Sequence, residues 1–128
     1  MPYKMNRLFC ILLTLFTSIV HAHEFTPTYP KFELSMVEGV LQTKMKLFNK
    51  RQEVEYYELG VFDKDWNSID FGSTDKLIKI GYLETKYIDV YIRSLDIKRA
   101  VYICTKSMLI AKRTDSTLIS SKICSKIK

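Results

Sequence analysis

Histidine is nearly missing from this chain: 128 residues hold only His21 and His23. Imidazole is the side chain that most often runs acid–base chemistry near neutral pH and the commonest ligand of transition metals. With so few, a catalytic dyad or a multi-imidazole metal centre has little to draw on. Long apolar runs are missing too, since nothing after residue 22 approaches the ~20 residues a bilayer-spanning helix needs. No internal repeat, low-complexity tract or convincing amphipathic helix is visible. Charge of one sign is not concentrated either, because lysines and arginines mix with acids until Lys122, Lys126 and Lys128 at the end. That mixing describes a solvated surface and gives no reason to expect a nucleic-acid partner.

The first segment reads as a leader. Lys4 and Arg7 precede an uncharged, largely apolar run over residues 8–20, and Val20-His21-Ala22 offers a small residue at a cleavage point. We therefore expect a signal peptide over 1–22 and one domain over 23–128, exported to the periplasm or secreted. The run is short for a membrane span; an uncleaved anchor is the rival reading. Cys10 lies within the leader, and Leu8-Phe9 before it are unlike the small residues of a lipidation site. Cleavage leaves 106 residues, an ordinary size for one domain, and lowers the formal charge from +6 to +4 as Lys4 and Arg7 leave.

The remaining chain carries a period of two. Leu41, Thr43, Met45 and Leu47 fall on one side of an extended backbone and Gln42, Lys44 and Lys46 on the other. After the polar break at residues 49–52, the aromatic and β-branched stretch 54–62 reads as another strand, with a change of phase near Tyr56-Tyr57 that suggests a bulge. A hairpin is the simplest reading of 39–63; a connection between two sheets is the other. Ile88, Val90 and Ile92 alternate with Tyr87, Asp89, Tyr91 and Arg93 in the cleanest pattern of the chain. Phe32, Leu34 and Met36, residues 69–71, residues 77–80, residues 100–105 and a last strand over 117–127 complete the set, with 23–31 as an edge strand or arm because of Pro27 and Pro30. The expected class is all-β: an immunoglobulin-like, two-sheet sandwich of about seven strands.

Two cysteines stay in the exported chain, Cys104 and Cys124, and in an oxidising compartment an even pair is read first as a disulfide. Two thiols without a nearby imidazole are too few ligands for zinc.

The runs FTPTYPKFEL, GVLQTKMKLFNKRQ, VEYYELGVFD, YIDVYIRS and AVYICTKS together resemble the N-terminal immunoglobulin-like domain of periplasmic pilus-assembly chaperones, across most of residues 23–128. The resemblance implies a seven-stranded sandwich whose last strand offers alternating hydrophobic side chains to an incomplete subunit by β-strand addition. Ile119, Ile123 and Ile127 match that row, with Ser121 and Ser125 between them. Those chaperones hold a subunit's terminal carboxylate with basic residues between two domains; with one domain here, no such anchor is carried over. A disulfide is not required by that family.

Other residues weigh towards structure. A newly exposed His23 amine and imidazole form a copper chelate only with further ligands that this chain does not supply, so we expect no cofactor and no metal. Tyr56, Tyr57, Tyr87, Tyr91 and Tyr102 make either a binding surface or a sheet cover. Asp63, Asp65 and Asp70 around Trp66 read as a solvated turn in preference to a calcium or acid–base site. The expected function is an exported, non-enzymatic protein-binding domain, chaperone-like or accessory to pilus, conjugation or secretion-apparatus assembly, without stable membrane insertion once the leader is cut. The rival is a secreted ligand-binding or inhibitory module that takes a small molecule, a metal or a host enzyme through loops such as 63–68.

Overall fold

The structure, a computed structural model, describes residues 22–108 and 120–128. Residues 1–21 of the segment expected as a signal peptide over 1–22, the expected turn at 112–116 and Ile119 fall outside the described residues. Among the described residues there is no helix. Eight strands follow in order: β1 (Glu24–Thr26), β2 (Glu33–Leu34), β3 (Val40–Phe48), β4 (Tyr56–Phe62), β5 (Leu77–Lys79), β6 (Thr85–Arg93), β7 (Tyr102–Met108) and β8 (Lys122–Lys126). They form two antiparallel sheets packed as a sandwich. In the first, β1 and β2 share one edge of β3 and β6 takes the other; the second runs β5-β4-β7-β8.

The alternation read from the sequence sets which side chains meet between the sheets. In the β3–β6 ladder, inward residues are direct opposites, Met45 with Ile88, Thr43 with Val90 and Leu41 with Ile92. Tyr57, Leu59 and Val61 of β4 point inward from the second sheet and, with Ile78, Ile80 and Ile103, close the core. Each fully buried large apolar side chain contributes roughly 2 kcal/mol of transfer free energy. Charged Lys44 and Lys46 of β3 stay in solvent, so a one-residue slip would put lysines into the core.

Residues 39–63 do not form a hairpin. β3 and β4 belong to different sheets, and residues 49–55 carry the chain between them. The cause lies at Asn49, whose side chain is fully buried. Its Nδ2 donates to the carbonyls of Val54 at 2.7 Å and Ile80 at 3.2 Å, while Oδ1 accepts from the Arg51 amide at 2.9 Å and the Tyr57 hydroxyl at 2.7 Å. Four bonds to one amide fix a corner, where a tight hairpin turn would leave it in water.

Other expectations need correction. The change of phase near Tyr56-Tyr57 is not a bulge: the β4–β5 and β4–β7 registers run without a break, and Val54 is buried from outside the strand. Residues 69–71 are not a strand. The chain makes isolated bridges there, Ser68 to Phe62 and Gly72 to Tyr91, as it passes from the edge of one sheet to the edge of the other. Leu34 and Met36 are 86% and 101% exposed, because β2 is only two residues long and the turn after it projects past the sheet. Tyr57 is core, so it leaves the group of candidate surface tyrosines.

Candidate protein-binding surface

β8 ends the second sheet, and its ladder shows which of its groups are free to face outward. Ser107 N–H donates to the Ser121 carbonyl and Ile127 N–H to the Val101 carbonyl, so odd-numbered main-chain groups face β7 and even-numbered ones face away. Along that outer edge, Lys126 N–H donates to the Thr28 carbonyl at 2.9 Å and Lys128 N–H to the Pro30 carbonyl at 3.0 Å. Residues 28–30 therefore cover the far half of the edge, while β1 pairs with β3 alone. By the same alternation the main-chain groups of Lys122 and Cys124 point outward from the near half.

The side chains of β8 divide between two faces. Ile123 and Ile127 turn inward and pack on the core, as does Ser125, whose buried hydroxyl has no hydrogen-bond partner. Ile119 lies outside the described residues. The hydrophobic row read from the sequence therefore faces the sandwich interior as far as it is described. On the outer face, Cys104 and Cys124 are direct opposites and form a disulfide, with sulfurs 2.06 Å and Cα atoms 4.1 Å apart. The bond ties β8 to β7.

Aromatic side chains gather on that outer face. Trp66 lies flat on Tyr102, ring centres 4.5 Å apart and planes within 5°, and Phe62 sits 6.1 Å from it. Lys122 Nζ stands 4.4 Å from the Phe62 ring centre and 4.8 Å from that of Trp66, a favourable cation–π distance. Gly60 makes this possible: a Cβ there would lie 2.8 Å from the Phe62 ring. Trp66 is 51% exposed and has a φ of +65°, a left-handed conformation that costs a bulky residue about 1–2 kcal/mol. The turn enforces it, because Asp63 Oδ1 accepts from the amides of Asp65 at 2.8 Å and Asn67 at 2.9 Å. Those backbone bonds hold the Asp63 carboxyl below its usual range. The turn read from the sequence is thus built around Asp63, and its purpose in the fold is to seat an indole.

A polar cluster fills one end of the interior, where β7 presents Thr105 and Ser107 inward. His23, 2% exposed, places Nε2 at 2.8 Å from Thr105 Oγ1 and Nδ1 at 3.2 Å from Ser121 Oγ. Its ring meets Tyr57 at 4.5 Å. Arg51 joins through Ser107 Oγ at 3.4 Å and bonds Glu53 at 2.7 Å. Burial, helped by the Arg51 charge, pushes the His23 pKa down to about 4, and burial pushes the Tyr57 phenol up to about 12. Both imidazole nitrogens are engaged by hydroxyls, so the geometry is that of a structural histidine. Among the described residues, no three of His, Cys, Asp or Glu are grouped as metal ligands would be.

The sequence reading gave no site role to Lys106, Lys122, Phe62 or Asn49. Gly60 inside a strand was the one local sign of a close approach; the rest depends on which strands become neighbours. Comparison with known proteins finds no matching family model and no matching curated protein.

Proposed function

We propose that this chain is an exported, non-enzymatic protein-binding domain that takes an extended partner segment onto the edge of β8, as a chaperone-like or accessory component in pilus, conjugation or secretion-apparatus assembly. One observation carries the reading: β8 closes its sheet with an edge that residues 28–30 cover only at Lys126 and Lys128. Strand addition needs outward main-chain donors and acceptors held rigid, and the disulfide supplies the rigidity. The resemblance to the N-terminal domain of pilus chaperones points to the same strand. It differs in one respect, since Ile123 and Ile127 stabilise the core and the main chain is left to give the affinity. The rival through the 63–68 loop has less support, because Asp63 is occupied by its own turn.

Lys122→Pro removes an outward N–H and leaves the bonds to β7 intact. We expect that substitution to abolish partner capture from exporting cells, while Lys122→Ala, which loses the same side chain and its ring contacts but keeps the N–H, captures measurably more at a similar melting temperature. Equal capture by folded Lys122→Pro overturns the proposal.

A further inference from the structure

Two unfavourable local features converge on the outer face of the second sheet. Trp66 is held at positive φ, and Lys106 and Lys122 stand directly opposite each other in the β7–β8 ladder. Like charges in that relation are destabilising. Glu58 is the direct opposite of Lys106 in the β4–β7 ladder, yet it forms no ion pair with it, and Lys106 has no ion pair among the described residues. Among the described residues Lys122 has its aromatic contacts and no ion pair. Backbone strain and a like-charge pair, offset only in part by the ring contacts of Lys122, are characteristic of a binding site.

Lys106, Lys122 and Glu58 line one cleft of about 400 Å³ together with Phe62, Phe71 and, on the sheet floor, Gly60 and Cys104; Trp66 stands outside that lining, against Phe62 and Lys122. Lys76, outside the lining, stands 4.6 Å from the Phe71 ring centre. Two lysines against Glu58 in the lining make the cleft attractive to anions. The lysines are point charges without the planar fork of arginine. The floor amides are engaged in the β4–β7 and β7–β8 ladders, so no nest of main-chain donors is offered to a phosphoryl group. What fits is a carboxylate beside an apolar side chain.

We infer that this cleft binds an acidic, aromatic-containing segment of a protein partner, with its carboxylates at Lys106 and Lys122 and its apolar side chain between Phe62 and Phe71. The site uses side chains of the sheet face and stands independently of strand addition at the β8 edge. Trp66 is the single tryptophan and touches both Phe62 and Lys122, so its fluorescence reports occupancy.

The test titrates the folded protein at low ionic strength with acetyl-Glu-Phe-Glu-Phe-amide and with its Lys-Phe-Lys-Phe counterpart. We expect a saturable Trp66 response to the acidic peptide alone, reversed by salt and weakened about tenfold or more in Lys106→Ala/Lys122→Ala. A thermal melt verifies that the double variant folds, and removing the facing lysines relieves a repulsion. A flat titration, an equal response to the basic peptide, undiminished binding by the variant, or equal competition by inorganic phosphate overturns the inference.

Discussion

Tyr57, inward on β4, donates its hydroxyl hydrogen over 2.7 Å to Oδ1 of Asn49, the first residue after β3, and so joins the two sheets through a buried polar bond. The same Asn49 amide holds the Val54 and Ile80 carbonyls and the Arg51 amide. Removing it strands several buried groups at once. We expect Asn49→Ala to destabilise the domain by roughly 3 kcal/mol and Tyr57→Phe by about 1 kcal/mol, measured by urea unfolding. A loss under about 1 kcal/mol for Asn49→Ala would show that the corner is held by packing alone.

Stability should fall with acid through His23. Its folded-state pKa is about 4, below the ordinary 6.5, so the folded protein prefers the neutral ring. The contribution is complete above about pH 6.5, declines as pH falls towards 4 and is constant below. Melting curves for wild type and His23→Gln between pH 7.5 and 4 separate this from carboxylate titration. The wild type should lose more of its melting temperature over that window, and parallel curves refute the account.

The disulfide closes a loop with a sequence separation of 20, worth on the order of 3 kcal/mol in the chain-entropy model. Cys104→Ser/Cys124→Ser should lower the melting temperature by roughly 10 °C or more. Mass spectrometry of unreduced protein should find it two hydrogen atoms lighter than the reduced form; two free thiols contradict the bond.

Ser125 is a second sign of compromise in β8. Its hydroxyl is buried opposite Ile103 without a hydrogen-bond partner, and such a group costs about 1–3 kcal/mol in mutational data. Ser125→Ala should therefore leave stability unchanged or raise it by up to about 1 kcal/mol, an unusual result for truncating a residue this buried. A loss above 1 kcal/mol would mean that the hydroxyl is satisfied in solution.

By itself the sequence determined three long strands, around Met45, Leu59 and Val90, and their inward faces. The alternation around Met45, around Leu59 and around Val90 is local, since successive side chains of an extended backbone must point to opposite sides. The strand read from the alternation of residues 41–47 spans Val40–Phe48 in the structure. Tertiary structure decided which strands pair. Residues 39–63 carry the pattern of a hairpin, yet Asn49 finds better partners across the sandwich than any local turn offers it. The facing of Lys106 with Lys122, the stacking of Trp66 on Tyr102 and the inward turn of Ile123 follow from ladder register. Register joins residues far apart in sequence, and periodicity carries no information about it.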